Sequence, residues 1–303
     1  MKLGTLLLAN NLILAPMLQV STGPFRRFCR MFGDIGLVSV PMLYTKRVEK
    51  SPNTVLRDLH KIEEEKPISL QLIGSDLNAL RSSIDFLESY KFDVLDINAG
   101  CPSKRAIKAQ EGGYLLKDLG KLKNLIKVAV KYSSRPVSLK VRLGFDNLND
   151  IDKLVSIVND SGIEFLTVHG RTVRDRFNDG KRNLESIKKI KSLLKIPVIG
   201  NGNIFNQKIA REFLEFTNVD ALMIGRGSMG NPEIFNQIDQ YLKKGVEYII
   251  ESNAKKMKEY IKLYERCINE YLDETFEIPY SVEKYKFMEL RRNLIWLSKN
   301  IQG

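Results

Sequence analysis

Residues 92–102 read Phe92-Asp93-Val94-Leu95-Asp96-Ile97-Asn98-Ala99-Gly100-Cys101-Pro102. A short apolar run ends in a Gly/Pro turn, which predicts a buried strand with a cysteine on the loop just past its C-terminal end. In α/β folds such loops carry chemistry, because the strands fix them while solvent reaches them. Two readings of Cys101 are open at this point. It is either a small buried side chain at a strand end, free cysteine being among the most buried residue types, or a thiol set at the mouth of a site.

Seven further runs of the same kind punctuate the first 227 residues: Leu12–Met17, Ile35–Val40, Ile68–Leu72, Val137–Val141, Phe165–Val168, Val198–Ile199 and Ala221–Ile224. Several are entered through proline or aspartate, as at Lys66-Pro67, Arg135-Pro136, Ile196-Pro197 and Val219-Asp220. Between most of them lie stretches of helical period, at 78–90, 119–132, 151–160, 184–194 and 207–216. Strands alternating with helices make a parallel sheet. Eight such units in about 230 residues suit a closed (β/α)8 TIM barrel. An open doubly wound sheet would favour a Gly-x-Gly-x-x-Gly turn after an early strand, and the sequence has none there.

The texture changes after Pro232. Residues 236–303 lack strand-like runs and hold seven of the eleven tyrosines and the single tryptophan, Trp296. Ala254, Met257, Tyr260, Ile261, Tyr264, Ile268, Tyr271 and Leu272 recur at helical spacing, so these aromatics read as helix core. The expected organisation is a barrel over residues 1–235 followed by a small helical domain over 236–303.

Composition narrows the class. Hydrophobic content of 43% and charged content of 28% are those of a globular protein. No run of eighteen apolar residues occurs, so no membrane partner is expected. The N-terminal stretch Met1–Asn10 has one basic residue, a short apolar run and no cleavage site, and reads as the entry to the first strand. Cys29, Cys101 and Cys267 are far apart and odd in number, which argues for a reducing, cytoplasmic setting and against a disulfide framework or a cysteine-ligated metal. The net charge is +12. Residues 236–303 carry 12 basic and 11 acidic side chains, so nearly all the excess lies in the barrel. It gathers near Lys104-Arg105, 121–131, 171–182 and 188–195. Part of this is helix surface; the groups near 104 and 171–182 follow strands, where a polyanionic partner would meet them.

The strand ends carry polar residues that a purely structural barrel does not need. Strand 1 ends Ala15-Pro16-Met17, strand 3 Gln71-Leu72-Ile73-Gly74, and strand 6 His169-Gly170-Arg171-Thr172. Lys140 and Arg142 alternate with apolar residues on strand 5 and therefore share a face. An inward lysine implies an anion or electron-rich ligand. Strands 7 and 8 end Gly200-Asn201-Gly202-Asn203 and Gly225-Arg226-Gly227. Glycine turns expose backbone N–H groups and let an anion approach, and barrels commonly place a phosphate at these two loops.

Together these motifs resemble the tRNA dihydrouridine synthases. The matches are Ala15-Pro16-Met17, Gln71-Leu72-Ile73-Gly74, Asn98-Ala99-Gly100-Cys101-Pro102 with Gly112-Gly113-Tyr114-Leu115-Leu116, Lys140-Val141-Arg142, His169-Gly170-Arg171-Thr172, Asn201-Gly202-Asn203 and Gly225-Arg226. The resemblance implies an FMN-binding barrel, reduced by NADPH or NADH, that passes hydride to C6 of a uracil in tRNA while Cys101 gives a proton to C5 as general acid. It implies that Lys140 stands by the flavin N1 side, that Asn98 and Arg142 contact the uracil, and that Pro16, Met17, Leu18, Gln71 and His169 hold FMN. By the same resemblance the turns of Asn201, Gly202 and Asn203, and of Gly225 and Arg226, hold the phosphate, and the helical tail binds tRNA. Arg105, Arg171, Arg174 and Arg176, which follow strands 4 and 6, are the cations expected to meet tRNA phosphates. The family's usual Gly-Val-Thr-Asp after strand 1 is here Gln19-Val20-Ser21-Thr22, its frequent lysine is Arg105, and a commonly aromatic position after the Arg171 loop falls on Leu184. A monomer is expected. The alternatives are an FMN barrel reducing a free pyrimidine, as dihydroorotate dehydrogenase does, and a barrel that binds RNA without catalysis.

Overall fold

The computed structural model describes residues 1–148, 150–250, 254–272 and 280–298. Eight parallel strands form the barrel: β1 (Leu12–Leu14), β2 (Val38–Ser39), β3 (Ile68–Ile73), β4 (Val94–Ala99), β5 (Val137–Arg142), β6 (Phe165–His169), β7 (Val198–Asn201) and β8 (Ala221–Ile224). They hydrogen-bond in the order β1-β8-β7-β6-β5-β4-β3-β2. The circle closes between β1 and β2 through the single bridge Ile13–Leu37, so the barrel has one thin seam. Asn10 stitches that seam from below. Its Oδ1 accepts from Leu12 N and Gly36 N, and its Nδ2 donates to the Asp34 carbonyl.

Each strand is followed by a helix: α1 (Gly23–Arg30), α2 (Thr45–Lys50), α3 (Leu77–Leu87), α4 (Leu119–Tyr132), α5 (Ile151–Asn159), α6 (Leu184–Leu193), α7 (Gln207–Thr217) and α8 (Ile234–Lys244). Half of them start at a side-chain cap. Asp76, Asp118, Asn183 and Asn206 each accept a backbone N–H of the first turn. α7 and α8 stop at Asn218 and Gly245, both left-handed. The expected strand 1 is shorter than its apolar run. Ala15 N makes the last ladder bond, to Ile224 O, and Pro16 has no N–H to continue it. The second run, Ile35–Val40, contracts to two residues before Pro41 for the same reason.

The barrel interior is layered. Its lower half is apolar: Ile13, Leu37, Val94, Phe165, Ile199 and Ala221 pack with Leu3 and Leu8 of an N-terminal hairpin that plugs the base. The upper half is polar, because the inward positions of β3 to β7 are Ser69, Gln71, Asp96, Asn98, Ser138, Lys140, Arg142, Thr167, His169 and Asn201. The change from hydrocarbon to polar side chains sets the depth of the site.

Two further helices, α9 (Ala254–Glu270) and α10 (Val282–Ser298), pack on each other, and α9 lies against α1. Their tyrosines are core, and three buried tyrosines of this region also donate a phenol to a buried carboxylate. Tyr260 bonds Glu233 at 2.8 Å, Tyr264 bonds Glu289 at 2.9 Å, and Tyr271 bonds Glu65, which also holds the fully buried Arg26. Burial, reinforced by the facing carboxylate, raises all three phenol pKa values. A raised folded pKa means stability that is intact below the unfolded value of about 10 and lost as pH rises above it. The thermal midpoint is therefore expected to fall steeply between about pH 10 and 11, and Tyr264→Phe to fall less steeply over that range. Parallel curves for the two proteins would remove the phenols from the account.

Candidate active site

The upper rim encloses a cavity of about 520 Å³. Most residues expected from strand ends line it: Pro16, Met17, Leu18, Gln71, Asn98, Cys101, Lys140, Arg142, Arg176, His169, Asn201, Gly202, Asn203, Gly225 and Arg226. They come from all parts of the barrel but one short strand, because each βα turn opens at the same end.

The cysteine turn is built by Asn98. Its Oδ1 accepts from Gly100 N at 3.0 Å and Cys101 N at 2.9 Å, so the side chain folds the loop back over the strand end. Its Nδ2 donates to Gln71 Oε1 at 2.8 Å; Gln71 Nε2 donates to Asp96 Oδ2 at 2.6 Å; Ser138 Oγ donates to Asp96 Oδ1 at 2.6 Å. One hydrogen-bonded chain thus runs across three strands to the thiol loop. Gly112 and Gly113 pack behind it. A Cβ on Gly112 would lie 3.0 Å from Cys101 Cβ, at φ +59°, and one on Gly113 would lie 2.9 Å from the Cys101 carbonyl. The glycine pair that follows the cysteine in sequence is thereby a steric requirement. Cys101 is half-buried, whereas Cys29 and Cys267 are fully buried.

Charge dominates the neighbouring wall, on β5 and β6. Lys140 Nζ donates to Asn201 Oδ1 at 3.3 Å, and Asn201 Nδ2 donates to the Met223 carbonyl at 2.7 Å. Burial, with repulsion from Arg142, pushes the Lys140 ammonium down to about 8, while Asp96 and Cys101 oppose the shift. Arg142 is braced by three carbonyls, Gly100 and Thr172 at 2.9 Å and Arg176 at 2.6 Å. His169 is held well below its usual pKa by burial and by Arg142, Lys140, Arg171 and Arg226, and is neutral. Among the described residues its buried Nδ1 has no hydrogen-bond partner, nor do Arg171 Nη1 and Thr167 Oγ1. Gly202, at φ +129°, leaves the approach to this corner open: a Cβ there would come 3.8 Å from both Arg171 Nη1 and His169 Cε1.

The cations expected to reach tRNA divide. Arg176 lines the cavity, and Arg174 is exposed and paired with Asp146 at 2.6 Å. Arg105 lies beside the mouth, with its guanidinium 3.8 Å from the centre of the Tyr44 ring. Arg171 departs from the expectation of an exposed phosphate contact. Its side chain is fully buried, Nε donating to Asn178 O at 2.6 Å, because the loop after β6 folds back over it. Leu184 is the first residue of α6, packed on the core, and the aromatic at the mouth is Phe177. Phe177 stands 5.3 Å from the Arg142 guanidinium and 5.0 Å from that of Arg226. Met42, Phe205 and Ser103, which no strand-end pattern marks in the sequence, also line the cavity, and Asp179 Oδ1 accepts from Asn203 at 2.8 Å and lies 3.4 Å from Arg171. Among the described residues no group of acids, histidines and cysteines is arranged to hold a metal.

The match that decides the family spans residues 13–303, to the model of dihydrouridine synthase (Dus). The chain belongs to the dihydrouridine synthase family. Membership makes this protein an oxidoreductase. The chain is 32% identical over 302 residues to a probable tRNA-dihydrouridine synthase of Rickettsia bellii (strain RML369-C), covering 99% of this chain and 89% of that one. It is 38% identical over 247 residues to tRNA-dihydrouridine synthase B of Vibrio cholerae (strain El Tor Inaba N16961), covering 81% and 76%. Among solved structures, histamine dehydrogenase from Rhizobium sp. 4-9 has a similar fold (TM-score 0.62, 9% identity, 88% of this chain and 50% of that one). So does a morphinone reductase variant in complex with tetrahydroNAD (TM-score 0.58, 13% identity, 79% and 89%). This dihydrouridine synthase thus has the (β/α)8 architecture read from the strand pattern, and adds to it the helices α9 and α10. No helix among the described residues is long and apolar enough to cross a membrane.

Proposed function

We propose that the protein reduces the C5=C6 bond of uridine in tRNA to dihydrouridine in the cytoplasm, using FMN recharged by NADPH, with Cys101 as proton donor. The observation that carries this reading is one cavity with a half-buried thiol after β4, a lysine on the neighbouring β5, and a phosphate-type corner at the ends of β6, β7 and β8. The corner fits a flavin mononucleotide. Arg171 Nη1 and His169 Nδ1 are buried polar atoms without a partner among the described residues, and Gly202 leaves room for an anion. When bound, the flavin supplies a hydride to one face of the uracil.

The chain's own residues do the rest. Met17 and Leu18 give an apolar wall, and Gln71, His169 and Asn201 give polar edges. Lys140 is a cation fixed by Asn201 beside the ring site, where it favours negative charge. Asn98 already uses Oδ1 and Nδ2 to build the thiol loop, so its role toward uracil is to place Cys101 as much as to touch the base. Arg142 keeps its planar guanidinium at the cavity wall through the three carbonyls that brace it. The experiment that tests the reading is release of the bound chromophore by heat, with dihydrouridine mapped in tRNA from a deletion strain. FMN and a lost dihydrouridine are expected; FAD, or tRNA unchanged by the deletion, would refute it.

The tail, 236–303, is proposed to contact tRNA by shape, since its charge is nearly balanced. Bulk attraction then falls to the loops after β4 and β6. Reversing charge at Arg174 and Arg176 is expected to weaken tRNA binding. The salt slope of log K should also flatten, by somewhat under one for each phosphate the protein no longer meets. The exposed Lys188 on α6, at the outer wall, is the comparison. If its reversal weakens tRNA as much, the RNA docks on the side of the barrel.

A further inference from the structure

The Cys101 thiol has a hydroxyl partner. Its Sγ donates to Ser103 Oγ at 3.4 Å, within the limit for sulfur. Ser103 is itself fixed. It is the N-cap of the short helix Lys104–Lys108, and the same Oγ accepts Ala106 N at 3.2 Å. A hydroxyl oxygen has two lone pairs, and here the thiol and the helix amide take both. The hydroxyl proton can still turn. The phenol of Tyr44 lies close by, its pKa raised by burial and by Cys101 and lowered by Arg105 and Ser103. Both Cys101 and Ser103 line the cavity.

We propose that Ser103 is the positioning residue for the Cys101 thiol, accepting the S–H before proton transfer and donating its own O–H to the thiolate afterwards. The proposal rests on the reading of Cys101 as proton donor. As C6 receives hydride, the electron pair of the uracil C5=C6 bond forms the new C5–H bond with the thiol proton, and the S–H pair stays on sulfur. The Ser103 hydroxyl then turns toward that sulfur, and water returns the proton to reset the thiol. A hydrogen bond to a charged partner is worth more than the neutral one it replaces, so the exchange favours the thiolate and strengthens the acid. The cap bond to Ala106 keeps Oγ in place through the exchange, since only the hydroxyl proton must move.

The test is the pH dependence of Cys101 alkylation in the intact protein. Cys29 and Cys267 are fully buried and leave Cys101 as the accessible thiol. Ser103→Ala is expected to raise the midpoint of the alkylation profile by about one unit and slow single-turnover uridine reduction about tenfold, the size of one charge-assisted hydrogen bond. Ser103→Thr keeps hydroxyl and cap and is expected to restore both. Loss of the cap alone would lower thermal stability without moving the thiol midpoint. An unmoved midpoint in Ser103→Ala, or a midpoint that Ser103→Thr fails to restore, overturns the proposal. Full turnover by Cys101→Ala would instead overturn the underlying reading while leaving the alkylation result intact.

Discussion

Cys101→Ala is expected to slow reduction of uridine in tRNA by roughly 10²–10⁴-fold, the usual worth of a positioned general acid. The substitution is small and local. The loop is held by backbone bonds to Asn98 Oδ1, which the substitution leaves in place. Flavin content and tRNA affinity should therefore stay near those of the parent protein, so the deficit falls on the single-turnover rate of the reduced, tRNA-bound enzyme. The other two cysteines give the contrast. Cys29→Ala and Cys267→Ala empty part of the core beside α1, where Cys267 Sγ touches Met31 Sδ at 3.3 Å, and are expected to lower the melting temperature and leave that rate alone. A Cys101→Ala protein that reduces uridine at the parent rate would move the proton source elsewhere.

The second large effect belongs to Lys140. Lys140→Met keeps most of the side chain's length and removes the cation from a site screened from water. A fall of about 10²–10³-fold in the rate of the uridine half-reaction is expected, the scale of losing one preorganised electrostatic group. The pH dependence carries the sign. With its pKa pushed down to about 8, the side chain is charged below that value and neutral above it. In flavin-free protein the Lys140 amine should thus react with acylating reagents near neutral pH, faster than surface lysines. Added FMN should suppress that labelling. Labelling of Lys140 at the rate of exposed lysines, indifferent to FMN, would place it outside the cofactor site.

Much of this site was legible because a barrel turns sequence order into position. Every strand ends at the same rim, so polar residues after apolar runs converge without any long-range information. The period of two on β5 was enough to bring Lys140 and Arg142 to one wall. Other features have no periodicity to read. Phe177 and Asp179 sit on the loop after β6, and only the fold of that loop shows that Phe177, and not Leu184, reaches the mouth. The same fold buries Arg171, which looks like a surface cation in a run of charged residues. Asp96 reads as a break in an apolar strand. Its meaning appears only with Gln71 and Ser138 across the ladder, where two donors satisfy a carboxylate whose pKa burial has raised.

The seam between β1 and β2 has a consequence for synthesis on the ribosome. β1 finds its ladder partner in Leu222–Ile224, near the far end of the barrel sequence. The stretch after it is gripped from still farther away: Thr22 by Glu289, and Glu65 by Tyr271. A nascent chain therefore carries its first strand and first helix without these distant partners until almost all of the protein has emerged. Strands β3 to β7, which pair with near neighbours in sequence, have no such wait. The earliest-made segment is then the last to be secured, and its apolar face is what a chaperone waiting at the exit tunnel would meet.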